Sequence, residues 1–126
     1  MAGINKGGHQ HFTVQEAQNA TLGQVGSMFQ DSSGAMSPGT DKVFVAITFI
    51  TDTIFNASGG LVSVDEHLFI NTEAASNAGS TDDLGKRGSG GIEIDDGNIF
   101  PAGLTIYGRW TSAKLVSGSV IAYVGN

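Results

Sequence analysis

The chain has 126 residues, the size of one domain. It has no cysteine, which excludes a disulfide framework and a thiolate metal site. Twelve acidic against six basic residues leave a net charge of -6, a balance that phosphate backbones repel, so nucleic acid is excluded as a partner.

Charged residues make up 14% of the chain against about 25% in an average domain. A surface this poor in charge is built from Ser, Thr, Asn, Gln and Gly, or is covered by other subunits. Met1 to Gln10 carries one lysine and no apolar stretch, unlike a secretory leader. No segment approaches the ~18 apolar residues that cross a bilayer, so no membrane partner is expected. Nineteen glycines without a Gly-X-Y period punctuate apolar runs, as turns between short strands do.

Residues 1–41 read as an extended N-terminal arm, rich in Gly, Gln, Ser and Asn and holding two of the ten aromatics, Phe12 and Phe29. Too little apolar surface is present there to offset the entropy of ordering, so the arm is expected to order against a neighbour or the domain's own edge. Thr13 to Gln18 suits a helical turn, Leu22 to Phe29 a short strand, and Ser32 to Thr40 a loop.

The β domain spans residues 42–126. Lys42 to Thr51 (KVFVAITFIT) is the strongest strand, dominated by β-branched and aromatic residues. The two-residue period puts Val43, Val45, Ile47 and Phe49 on one face and Phe44, Ala46, Thr48 and Ile50 on the other. With both faces largely apolar, the strand should be central and covered on both sides. Thr53 to Phe55 and an Asn56 to Gly60 turn follow. Leu61 to Asn71 reads as a half-exposed strand, with Val62, Val64, Leu68 and Ile70 on one face and Ser63, Asp65, His67 and Phe69 on the other.

Ala74 to Gly91 is a long polar loop. Ile92 to Asp95 reads as a short strand before an Asp96-Gly97 turn. Pro101-Ala102-Gly103 is a turn, since proline donates nothing to a ladder. Leu104 to Trp110 is a strand with Leu104, Ile106 and Trp110 inward. Ala113 to Val116, a Ser117-Gly118 turn and Ser119 to Val124 read as a closing hairpin. The sum is an all-β, antiparallel sandwich, jelly roll or small barrel.

Phe100 to Val124 (FPAGLTIYGRWTSAKLVSGSVIAYV) resembles the C-terminal end of a widespread group of small phage proteins. These carry a Pro-Ala-Gly turn, a Tyr-Gly-Arg strand and a Ser-Gly-Ser hairpin ending in an apolar-Ala-Tyr strand. The Asp52-Thr53-x-Phe55 step is similar to theirs too. The resemblance covers about Val43 to Val124, departs at Ala74 to Gly91 and leaves out the arm. It implies a virion structural protein, most similar to capsid decoration or cement proteins, made in the host cytoplasm and carried on the capsid surface with the major capsid protein as partner. It brings no catalytic residues. A homotrimer is expected from the local threefold positions of an icosahedral shell.

Tyr107 and Trp110 are large anchors on opposite faces of one strand, so one faces the core and the other a neighbour. Arg109 shares the Tyr107 side and suits a carboxylate across an interface. Tyr123, near the chain end, suits an interface as an outward aromatic. With Phe12 and Phe29 of the arm, Tyr107, Arg109 and Tyr123 are the candidate interface residues.

No catalytic, cofactor or metal site is expected. His9 and His11 stand at i and i+2 with no third ligand nearby in sequence and read as solvated arm residues. Asp65-Glu66-His67 joins carboxylates and an imidazole but has no nucleophile, and reads as polar strand surface. Gly79 to Lys86 fails the phosphate-loop spacing and has no following helix. Asp82, Asp83, Asp95 and Asp96 lack calcium-loop spacing and read as turn carboxylates. The Asn19 and Asn56 sequons are chance matches without a secretory leader. Two other functions compete with cement. A receptor- or glycan-binding fibre head would use the Ala74 to Gly91 loop as its tip. A polysaccharide hydrolase would need a paired-carboxylate cleft that nothing in the sequence places.

Overall fold

A computed structural model describes residues 25–73 and 94–126. The protein is all-β with an antiparallel sheet curled into a half-barrel, and among the described residues there is no helix. The strands are β1 (Gly26–Gln30), β2 (Ala35–Met36), β3 (Val43–Phe49), β4 (Ile54–Phe55), β5 (Leu61–Ser63), β6 (Thr105–Ser117) and β7 (Val120–Gly125). Their order is β1-β7-β3-β6-β2, with β4 and β5 also paired to β6. Thr13 to Gln18 and the long loop lie outside the described residues. Of the segment up to Asp41, β1 and β2 are strands of this sheet, paired to β7 and β6.

The curl is the work of β6. Thirteen residues of straight strand span about 43 Å. Yet the residues flanking β6 return to one corner: Leu104 O accepts from Phe49 N–H and Ser119 O from Ile50 N–H, both at 2.9 Å. The bending sites are bulges, each adding one residue to β6 against its partner. They fall between Tyr107 and Trp110 opposite β3, between Trp110 and Ser112 opposite β5, and between Leu115 and Ser117 opposite β4. Ala113 to Val116 is therefore no separate strand. β6 and β7 form no hairpin ladder, because β3 lies between them. Local sequence reads a turn between two strands as pairing; here the turn carries the chain across β3.

β3 is central, as its composition predicts, but its faces differ from strict alternation. Phe44 pairs with Val124 and Ala46 with Tyr123, which leaves Val45 as an extra residue against β7. Phe44 consequently joins Ile47 and Phe49 on the inner face, all three fully buried, while Val45 is half-buried. The inner face continues across the sheet through Val120, Ala122, Val124 and Trp110. Phe55, Leu61, Ala113, Leu115 and Met36 complete the core from the second half of the curl.

Three further expectations are corrected. The strand at Leu61 stops at Ser63, and Val64 to Glu73 is a loop folded around Asn71. Its in–out order is reversed: Leu61 and Ser63 are buried, whereas Val64, Leu68 and Ile70 are exposed. A strand is not needed there because buried Asn71 takes its place as organiser. Its Nδ2 donates to Phe69 O (2.7 Å) and Glu66 O (3.0 Å), and its Oδ1 accepts from Glu73 N–H (2.8 Å). Second, Ile94 and Asp95 are not strand; Asp95 instead opens the Asp96-Gly97 turn, accepting Gly97 N–H on its carboxylate (2.8 Å). Third, Leu104 is exposed at the turn rather than inward.

The Asp52–Thr53 step, the Phe100–Ala102 turn and Ser119 meet at one corner. Phe100 and Thr53 exchange backbone hydrogen bonds at 2.8 Å, and Asp52 Oδ1 accepts Ala102 N–H at 2.9 Å. Phe49, Phe55 and Phe100 cluster with ring centroids 5.0 to 5.9 Å apart. Ser119 N–H donates to Thr51 Oγ1 at 2.9 Å. Gly103 and Gly118 have φ of 89° and 102°, conformations open to glycine. In this chain those residues clasp the barrel end together.

Candidate functional site

Residues directly opposite one another in an antiparallel ladder share a face. The register therefore lays out the outer face of the sheet as two rows. One runs Ser27, Tyr123, Ala46, Tyr107 across β1, β7, β3 and β6; the other runs Phe29, Ile121, Thr48, Thr105. Tyr107 is 67% exposed and Phe29 60% exposed, the most exposed aromatics among the described residues. Tyr123 and Ile121 are half-buried between them.

Ala46, the smallest side chain in its row, pairs with Tyr123 on one side and Tyr107 on the other and is almost fully buried. It floors an open groove of about 240 Å³ with Tyr107 and Tyr123 as walls and Thr48 and Thr105 at one end. The two threonine hydroxyls share a hydrogen bond at 2.8 Å. None of the five lining groups is a carboxylate, an imidazole or a lysine, so the groove offers aromatic faces and neutral hydroxyls and has no general base.

The placement of the candidate residues follows from this layout. Phe29, Tyr107 and Tyr123 come together on the outer face, though they lie on three different strands. Trp110, the inward partner of Tyr107, is fully buried, and its Nε1–H donates to Ile70 O at 2.8 Å. Arg109 is exposed, and its Nη1 donates to the Asn126 backbone carbonyl at 3.1 Å. Phe12 lies outside the described residues. Ile121, Ala46 and the Thr48–Thr105 pair were not legible as site residues, because only the cross-strand register brings them beside the tyrosines.

The polar clusters weighed in the sequence have structural occupations. The Asp65 carboxylate accepts His67 backbone N–H at 2.8 Å and its carbonyl accepts Ser63 Oγ at 2.6 Å, an Asx turn that starts the Asn71 loop. Asn56 Nδ2 donates to Leu115 O at 3.3 Å, anchoring the turn before β5. His9, His11, Asn19, Asp82, Asp83 and the Gly79 to Lys86 stretch lie outside the described residues. Among the described residues, no three His, Asp or Glu side chains gather closely enough to hold a metal.

Comparison with protein-family models, with curated proteins and with solved structures finds no match to the chain.

Proposed function

We propose that the protein is a virion structural protein, a capsid decoration or cement protein that binds across junctions of the major capsid protein and stabilises the head. The observation that supports this reading is the outer sheet face, where Phe29, Tyr107 and Tyr123 stand exposed or half-exposed without a charged neighbour in either row. Interface centres are enriched in aromatic residues and depleted of charge in this way. Each of these aromatic side chains turns about only two bonds, so little side-chain freedom is lost on docking. The groove over Ala46 suits a single side chain from the shell wedged between the two tyrosines. Many copies, each making a modest contact, would hold a shell together by avidity.

The test uses particles stripped of this protein and then reloaded with purified wild-type chain or with a Phe29→Ser, Tyr107→Ser, Tyr123→Ser triple variant. Wild type should rebind at a copy number on the scale of the capsid subunits and restore resistance to heat and osmotic shock. The triple variant should stay in the supernatant while still melting in one cooperative transition. Rebinding only at fibre-like copy number, or no change in shell resistance, would replace cement with the fibre reading.

A further inference from the structure

β1 closes one side of the sheet. It pairs with β7, and among the described residues no strand pairs with its other edge. The groups it offers there follow from alternation: along an antiparallel strand, N–H and C=O of one residue point to the same neighbour and those of the next residue to the opposite one. Phe49 points toward β6, donating to Leu104 O and accepting from Gly103 N–H, while Ile50 N–H points to Ser119 beside β7. Thr48 and Ala46 therefore face β7 and bond Ile121 and Tyr123. The intervening Val120, Ala122 and Val124 face β1 and bond Gln30, Met28 and Gly26. Ser27 and Phe29 are left with their N–H and C=O directed at the open edge. Natural sheets guard such an edge with lysine, proline or a bulge. The stretch Gly26–Gln30 (GSMFQ) has no charge and no proline, and its register with β7 is unbroken.

We propose that this edge pairs with the same edge of a second copy, β1 against β1, about a two-fold axis at Met28. The stretch is complementary to itself in that arrangement. Ser27 meets the second copy's Phe29 and Phe29 the second copy's Ser27, so the two pairs exchange four backbone hydrogen bonds. Paired residues share a face, and each exposed phenyl ring lies over a small serine rather than against another ring. Although each chain carries a net charge of -6, no charged side chain stands within the paired strands. The contact is isologous, as closed dimers require. β2, at the other end of the sheet order, has only two residues and is too short to serve. The result is a continuous sheet with two outer faces side by side, a dimer in place of the threefold assembly expected from shell symmetry.

The absence of cysteine gives a direct test. On the axis, Met28 faces its own counterpart in a non-hydrogen-bonded pair with Cα atoms about 4.5 Å apart, within disulfide reach. Mild oxidation should link Met28→Cys into a covalent dimer, while Gly26→Cys and Gln30→Cys, each several residues from its own counterpart, stay unlinked. Light scattering of wild type should give twice the chain mass, and Phe29→Lys should return it to the monomer with an unchanged far-ultraviolet circular dichroism spectrum. A monomer at every concentration, a threefold mass, or equal linking at all three positions overturns the pairing. The readouts need no capsid, so they stand or fall apart from the cement reading.

Discussion

The Trp110 indole fills the space that a side chain at Gly108 would need: a Cβ at 108 would stand 2.7 Å from Cζ2 of the ring. The two residues share the inner face of β6, two positions apart, and Trp110 is fully buried there. This contact lets the largest side chain of the core lie flat along its own strand at the first bulge. Gly108→Ala should therefore cost about 1–3 kcal/mol, the usual penalty of overpacking a core. Thermal melting reads the loss, and tryptophan emission should shift toward longer wavelength as the sole indole is displaced. An alanine tolerated at full stability with unchanged emission would refute the packing argument.

Gly103 and Gly118 both have positive φ, but they differ in surroundings. Nothing lies within 4 Å of a Cβ placed at 103, whereas one at 118 meets Asp52 O at 2.6 Å and Thr53 Cα at 2.7 Å. Gly103→Ala should show the backbone strain alone, about 1–2 kcal/mol. Gly118→Ala adds a collision with main chain and should lose about 3 kcal/mol or more. Denaturant melts of the two variants, compared side by side, check the gap. Equal losses would mean that Gly118 does not press on the Asp52–Thr53 corner.

The same corner shows how far the sequence could be read. β-branched and aromatic content marked β3 as central, and the Pro101-Ala102-Gly103 turn was visible because proline and glycine fix backbone angles locally. Leu104 N–H closes that turn onto Pro101 O at 3.3 Å. Trp110 inside and Tyr107 outside also followed from period two. What failed was anything set by bulges or by non-local order. Val45 breaks the period of β3, so Phe44 was placed on the wrong face. The Val64 to Ile70 alternation suggested a strand, yet one buried amide at Asn71 outweighs it. That β3 separates β6 from β7 has no local signature, and the row joining Tyr107 to Tyr123 through Ala46 depends on that order.

Asn71 is the second organiser that a variant can isolate. Its Nδ2 supplies carbonyls of Glu66 and Phe69, and Thr72 beside it exchanges with Leu61, accepting Leu61 N–H on Oγ1 at 2.9 Å. Asn71→Leu is similar in volume but strands the part-buried Glu66 and Phe69 carbonyls and the Glu73 N–H, at about 1–3 kcal/mol for each group that water cannot reach. A loss of at least 2 kcal/mol is expected. Hydrogen exchange should rise first in Val64 to Glu73, with β3 protection falling only by the global amount. Uniform acceleration across the sheet would show that the loop is no separate unit.

Stability and binding should separate cleanly between Tyr107 and Phe55. Phe55 is fully buried, in edge contact with Phe49 and Phe100. Phe55→Ala should cost about 3–5 kcal/mol, enough to unfold a marginal domain. Tyr107 contributes a mostly exposed ring, so Tyr107→Ala should change folding stability by no more than about 0.5 kcal/mol. At an interface the same truncation removes a buried anchor worth about 2 kcal/mol, a ~30-fold weaker affinity for the shell. Titration of stripped particles with folded Tyr107→Ala measures that factor. If affinity is retained while Phe29→Ser and Tyr123→Ser also bind normally, the outer face is not the docking surface, whatever the protein does on the particle.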